Sequence, residues 1–220
     1  DLEGKILQDA KHRIHVLEQH FTTYCKSQKI SSSIIDTTGL PFEEIEYFAT
    51  EFDALVMGKD ATFHFGDHPE TSSAVKKIIK ASPRPLFITS PQMPHQESSD
   101  VLIAFDGTVA ASKALHMAIL MDLFKDKTLH IVSVSENAEH THQWTNSALK
   151  LCHHHGLKAH LHPISSALKP STVILDLIGD LKPSLLVLGA YGHSGIRSFF
   201  MGSCIQELLK ETDVPAFVFH

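Results

Sequence analysis

Short apolar runs alternate with amphipathic segments through residues 100–220, and this alternation limits the possible folds more than any other feature. The runs have the content and length of β-strands, and the segments between them have helical spacing, as in the stripe Ile174, Leu177, Ile178 and Leu181. Strands that alternate with helices predict an α/β fold, with a parallel sheet, right-handed crossovers and helices on both faces. The five predicted strands are VLIAF (101–105), TLHIVSV (128–134), KAHLHPI (158–164), SLLVLG (184–189) and AFVF (216–219).

Two features of this half follow directly after predicted strands. Asp106 begins the turn Asp-Gly-Thr after the first strand, and Gly189 begins a glycine-rich stretch after the fourth. Ligands of doubly wound sheets bind beyond the carboxyl ends of the strands. We therefore expect Asp106 and the Gly189 loop to meet in one crevice.

The first half of the chain reads as a shorter copy of the second. Residues 52–89 track residues 185–219, with Gly58 opposite Gly189, and ISSSII (30–35) takes the place of the KAHLHPI strand. The predicted domains are residues 1–89 and 100–220, joined by a polar linker at 90–99. Too few residues precede Gly58 to supply a first strand and helix, so we expect the first repeat to be incomplete at its N-terminus.

Composition excludes several classes of function. The net charge is −6, which gives no basic footprint for nucleic acid, and no apolar run approaches the length of a membrane span. The three cysteines are widely spaced, as in a reduced, cytoplasmic protein. The seventeen histidines include the clusters EHTHQ and LCHHHGL. A solvated surface is the favoured interpretation of these clusters and a metal site the alternative, because consecutive histidines on a helix point in different directions.

The stretch GAYGHSGIRSFFMGS (189–203) places small, flexible residues between a buried strand and a helix. Glycine lets the backbone approach a ligand, and the free N–H groups at a helix start favour an anion, so the stretch is either a phosphate cradle or a plain surface loop with a serine cap. It is neither a Walker A motif nor GxGxxG.

The spacing Gly189-x2-Gly192-x9-Gly202-Ser203 resembles the nucleotide-binding signature of the universal stress protein family. VLIAFDGT resembles the first strand and Asp turn of that family, and DVPAFVF its closing strand. The similarity spans residues 100–220 and, more weakly, residues 5–89. It implies two tandem Rossmann-like domains of the adenine nucleotide alpha hydrolase type, each with a parallel five-stranded sheet.

The resemblance also implies a set of nucleotide contacts in the second repeat. Asp106 matches an aspartate near the adenine and ribose, and Val134 a residue whose backbone reads the adenine edge; the alternatives are a helix N-cap and a plain core residue. Ala104 departs from a proline common in members that bind ATP. The residues that match the phosphate and ribose contacts, or lie in the intervening loop, are Gly189, Gly192, His193, Ser194, Gly202, Ser203 and Cys204.

We therefore expect a stress-response or regulatory protein that binds ATP, with or without Mg²⁺, at one site in the second repeat. The first repeat keeps few of the glycines and carries Asp60, Asp67 and Glu70 in the same loop, so we expect no nucleotide there. The closing strands LFIT and AFVFH are expected to pair as an intramolecular pseudo-dimer, and a homodimer is a further possibility. We see no catalytic constellation, although slow hydrolysis stays open. The alternative function is an interaction module that binds no nucleotide.

Overall fold

A computed structural model describes residues 2–61, 72–92, 98–190 and 203–220. These residues divide into two compact units, Asp1–Leu40 and Pro41–His220. The smaller unit contains one helix, α1 (Leu2–Ser27), and an irregular segment after it. The helices of the larger unit are α2 (Pro41–Ala49), α3 (Ser72–Ala81), α4 (Val109–Leu120), α5 (Ala138–His154), α6 (Pro170–Leu181) and α7 (Ser203–Glu211). Its strands are β1 (Leu55–Gly58), β2 (Leu86–Thr89), β3 (Asp100–Ala104), β4 (Thr128–Ser135), β5 (Ala159–Ser165), β6 (Leu185–Gly189) and β7 (Ala216–Phe219).

All seven strands belong to one mixed sheet with the order β1-β2-β7-β6-β3-β4-β5. Every neighbouring pair is parallel except β2 and β7, which run antiparallel with Phe87 opposite Phe217. The two phenylalanine rings meet edge to face, with centroids 5.0 Å apart. The predicted pairing of the two closing strands is therefore confirmed.

Apolar side chains cover both faces of this sheet. One face packs against α4 and α5 through a cluster that includes Leu115, Ala148 and Val187. The other packs against α3, α6 and α7 through a second cluster that includes Ile78 and Ile174. Residues alternate between the two faces along each strand, which is why β6 is apolar throughout rather than at every second position.

Strand β1 forms one edge of the sheet and differs from β6, its counterpart in the repeat. Val187 of β6 is 1% exposed beneath α4, whereas Val56 of β1 is 72% exposed. Among the described residues of Pro41–His220, no helix covers the face of β1 that carries Val56. The two halves of the repeat thus differ in burial where their sequences are similar.

The α/β prediction is confirmed, and every strand and helix predicted for residues 100–220 is present. The expected pair of separate five-stranded sheets is not confirmed, because the first half adds only β1 and β2 to a common sheet. The strand predicted at 30–35 is wrong: these residues are irregular and exposed. A strand requires a hydrogen-bonded neighbouring strand, and the described residues of the smaller unit contain none. The predicted domain boundaries at 89 and 100 stay predictions.

No helix in the described part of the chain is long and apolar enough to cross a membrane.

Candidate functional site

A cavity of about 340 Å³ opens at the carboxyl ends of β3, β4 and β6. Its strand side is apolar, with Ala104, Val132, Val134 and Leu188. Asp106 and Gly189 both line it, so the structure brings together the two features that the sequence placed in one crevice. The volume lies at the lower end of the range usual for pockets that bind small molecules.

The Asp106 turn is held by Thr108. The backbone N–H and the hydroxyl of Thr108 donate to Asp106 Oδ1, over 3.1 and 2.6 Å. The same hydroxyl accepts a hydrogen bond from the Ala111 N–H and caps helix α4. Thr108 is therefore the N-cap that the sequence analysis left open as the alternative role of Asp106, and this contact fixes the carboxylate at the rim of the cavity.

Trp144 of helix α5 also lines the cavity, and the sequence analysis placed it only on the apolar face of a helix. Gly107 has a φ of +75°, and a Cβ there would lie 2.4 Å from Trp144 Cδ1. Residue 107 must therefore be glycine for two reasons, its backbone conformation and the indole ring against it. The His140 ring stacks on the indole, with centroids 5.3 Å apart. Trp144 is the only tryptophan in the chain.

Gly189 packs against the start of helix α4. A Cβ at this position would lie 2.4 Å from the backbone nitrogen of Ala111 and 2.7 Å from the carbonyl carbon of Ala110. The glycine at residue 189 therefore has a packing reason in addition to the close ligand approach that we predicted.

Ser203 and Cys204 begin helix α7 on the opposite side of the cavity. Ser203 is exposed and Cys204 half-buried. Burial, followed by the negative charges of Glu207 and Asp106, raises the pKa of the Cys204 thiol to about 11. Cys204 is therefore a neutral thiol near pH 7 rather than a nucleophile.

Helices α6 and α7 are tied together beside the cavity. The Ser171 hydroxyl donates to Glu207 Oε2, and Lys169 Nζ lies 2.9 Å from Glu207 Oε1. These bonds, first that of Ser171 and then that of Lys169, lower the pKa of the Glu207 carboxyl. The carboxylate is thereby held on the outer side of the pair of helices whose residues Pro170 and Ile174 line the cavity.

The predicted contact residues divide into two groups. Asp106, Val134, Gly189, Ser203 and Cys204 all line the cavity, and Val134 also packs against the core cluster on that face. The other predicted residues lie outside the described residues: Gly192, His193, Ser194 and Gly202.

Asp106 and Cys204 are the ionisable side chains among the described residues that line the cavity. They do not form a nucleophile–base pair, because burial, followed by the negative charges of Glu207 and Asp106, raises the pKa of the Cys204 thiol and so favours the neutral thiol over the thiolate. In the described ranges, no three His, Cys, Asp or Glu residues are grouped to hold a metal ion.

The corresponding strand end in the first half is engaged differently. After Gly58, the Lys59 Nζ lies 2.7 Å from Asp213 Oδ1 and donates to the Thr212 carbonyl over 3.1 Å. Ser90 Oγ donates to the same Asp213 oxygen over 2.6 Å. The end of β1 is thus fastened to the loop before β7.

Comparison with known proteins gives a consistent result. The sequence model of the universal stress protein family matches residues 159–220. The universal stress protein Slr1230 from Synechocystis is 27% identical over 191 residues, which make up 86% of this chain and 65% of Slr1230. The chain therefore spans less than two thirds of the length of that relative.

Two solved structures share the fold. A universal stress protein from Archaeoglobus fulgidus DSM 4304 superposes with a TM-score of 0.74 at 20% identity, over 97% of this chain and 78% of that one. A putative universal stress protein from Pseudomonas aeruginosa UCBPP-PA14 gives a TM-score of 0.55 at 15% identity, over 93% and 77%.

Proposed function

We propose that the chain is a universal stress protein, as the family match over residues 159–220 and the 27% identical relative support, and that its second half binds an adenine nucleotide and acts as a regulatory module. The ligand that the glycine signature implies is ATP, with or without Mg²⁺. The observation that carries the proposal is the cavity itself, which joins Asp106, an apolar strand side and the start of helix α7 in one space.

The lining suits the parts of such a ligand. Ala104, Val132 and Val134 present an apolar surface to a flat base, and backbone groups at the strand ends offer its edge hydrogen bonds. Asp106 accepts hydrogen bonds and suits ribose hydroxyls. The α7 amino terminus with Ser203 favours a phosphate, since its first N–H groups lack helical partners.

A single site is part of the proposal. The antiparallel pairing of β2 with β7 supports a pseudo-dimer of the two halves, and the contact between Lys59 and Asp213 at the end of β1 supports a structural role for the first half. We propose that the first half is structural and that the protein is a binder rather than an enzyme, because the described residues that line the cavity include no activated nucleophile.

The test is calorimetric titration of ATP, with and without Mg²⁺, followed in parallel by Trp144 fluorescence. We expect saturable binding of one equivalent and a change in emission, because the only tryptophan lines the cavity. Absence of heat and of any emission change at millimolar ATP would refute the nucleotide proposal and favour the alternative, an interaction module.

Matched variants locate the site. Ser203→Asp puts a negative charge at the start of α7 and should weaken ATP at least about fivefold, while adenosine, which lacks phosphate, is affected less. Ser72→Asp makes the same change at the start of α3 in the first half and should leave affinity unchanged. Equal weakening by both variants would contradict a single site.

A further inference from the structure

Three histidines and an aspartate lie on one face of the sheet, in strands β3, β4 and β5. Asp100 is the first residue of β3, His130 the third of β4, and His160 and His162 belong to the edge strand β5. None of them belongs to the histidine clusters that the sequence analysis assigned to the surface. We call Asp100, His130, His160 and His162 the histidine cluster.

His130 is hydrogen-bonded at both ring nitrogens. Its Nε2 lies 3.2 Å from Asp100 Oδ1, and its Nδ1 lies 3.0 Å from His162 Nε2. An ionised carboxylate only accepts, so His130 Nε2 carries the proton and Nδ1 is an acceptor. His162 Nε2–H must then donate to it. The cluster is therefore a directed chain from His162 through His130 to Asp100.

A charge on His130 would be poorly solvated, whereas Asp100 and His162 are half-buried and His160 is exposed. His130 is only 9% exposed, and its neighbours Leu102 and Val132 are buried in the core cluster. The rings of His160 and His162 lie close to it, with centroids 5.1 and 5.2 Å away and ring planes inclined by 25° and 28°. A second positive charge among these three rings would face repulsion at short range.

Among the described residues, the surrounding elements supply no other compensating charge to this face. Helix α6 packs over β3 and β4 and presents Ile174 and Ile178 to the sheet, whereas its Asp176, Asp180 and Lys182 are exposed. The ionisable groups that face His130 are therefore Asp100 from β3 and the two histidines from β5. These groups do not form a metal site, since no three ligands in the described part of the chain are grouped to hold an ion.

We propose that the histidine cluster is a pH-sensitive contact that holds the edge strand β5 against the neighbouring strand β4. One proton is accommodated: His130 becomes an imidazolium beside Asp100, and His162 shifts its own proton to Nδ1 and accepts from His130. A second proton, on His162, places two N–H donors face to face across 3.0 Å. That bond is then lost and β5 loosens from β4.

The titration of His162 agrees in direction. Burial, followed by the positive charges of His130 and His160, lowers the pKa of His162 below its usual 6.5. The unfolded chain therefore takes up this proton more readily than the folded protein does. Stability is fully present above about pH 6.5 and declines as the pH falls below it.

The decisive variant is His162→Gln, whose amide N–H still donates to His130 Nδ1 but cannot be protonated. Urea unfolding is measured at pH 7.5 and 5.5. A free imidazole is about ten-to-one protonated at pH 5.5, so His162 lowers the wild-type folding constant by at most about tenfold over this range. In the variant, the folding constant should decrease less between pH 7.5 and 5.5, because the contribution of His162 is missing. The pKa of His220 is also lowered, by burial and by Lys113, but His220 is kept in all proteins and its share cancels.

His142→Gln, which removes an exposed histidine of α5, is the matched control and should retain the wild-type pH dependence. NMR titration of the wild-type imidazole protons provides a reading that needs no variant. We expect the pKa of His162 to lie below the usual 6.5 of a histidine. An unchanged acid response in His162→Gln, or a His162 titration midpoint at or above 6.5, would overturn the proposal.

Discussion

Gly189 lies so close to Ala111 that a Cβ at residue 189 would be 2.4 Å from the Ala111 backbone nitrogen. The contact joins the end of β6 to the first turn of α4, the two elements that carry the glycine loop and the Asp106 turn. At the corresponding Gly58, a Cβ would have nothing within 4 Å. One glycine of the repeat is thus required by packing and the other is not.

We expect Gly189→Ala to destabilise the protein by about 1–3 kcal/mol, because the backbone of α4 must move to admit a methyl group. Gly58→Ala should change the free energy of unfolding by less than about 0.5 kcal/mol, since the added methyl meets no atom. Urea unfolding of both variants at pH 7.5 measures the difference. Equal effects would mean that α4 does not limit the space at residue 189.

A second matched pair tests the two faces of the repeat. Val187→Ala removes two methyl groups from a site that is 1% exposed and should cost about 2 kcal/mol. Val56→Ala, at a site that is 72% exposed, should cost less than about 0.5 kcal/mol. The same unfolding experiment compares them, and a large loss for Val56→Ala would show that the edge strand is covered in solution.

Local sequence was sufficient for the second half of the fold. Each of its runs carries its own hydrophobic period, and each helix has a nearby start signal such as Thr108 or Pro170. The segment 30–35 has equally strong β-branched content, yet strand formation depends on a partner from elsewhere in the chain. No local pattern reports whether that partner is present.

The candidate site was predictable only in part for the same reason. Strand ends and the glycine spacing pointed to Asp106 and Gly189, since topology alone brings strand ends together. Trp144 reached the cavity through its contact with Gly107, which is a tertiary relationship between α5 and a distant turn. The sequence did contain one signal for this residue: Trp144 is the only tryptophan of the chain, and it lies on the helix that follows β4. The histidine cluster likewise depends on the register that places His130 opposite His160.

The ion pair between Lys59 and Asp213 links the two halves and gives a pH-dependent prediction. Hydrogen bonds from Lys59, and then from Ser90, lower the pKa of the Asp213 carboxyl below its usual 3.8. This contribution to stability is present above about pH 4 and is lost as the pH falls through the lowered pKa. Asp213→Asn should therefore lower the urea midpoint at pH 7 and approach wild type in strong acid.

Asp122→Asn is the control for this pair. Asp122 is exposed and has a φ of 56°, a conformation that asparagine also accepts. Its urea midpoint should match wild type at both pH values. If Asp213→Asn also matches wild type at pH 7, the contact between Lys59 and Asp213 does not fasten the halves.

The thiol of Cys204 provides a chemical probe of the cavity. Its pKa is raised from 9.0 to about 11, so at pH 8 its thiolate fraction is about one hundredth of that of an ordinary cysteine. We expect iodoacetamide to alkylate Cys204 roughly 100-fold more slowly than a free cysteine at pH 8, with a rate that rises about tenfold per pH unit up to about pH 10. Peptide mapping by mass spectrometry separates it from Cys152, whose pKa burial also raises to about 11 and which is fully buried.

Ligand protection then connects this reactivity to the proposed function. Because Cys204 lines the cavity and Cys152 lies in the core cluster beneath α4 and α5, bound ATP should slow alkylation of Cys204 directly. Cys152 should react only when the protein unfolds, and its rate reports any general stabilisation by the ligand. Rapid alkylation of Cys204 at pH 7 would contradict the raised pKa, whereas slow alkylation that ATP leaves unchanged would contradict nucleotide binding in this cavity.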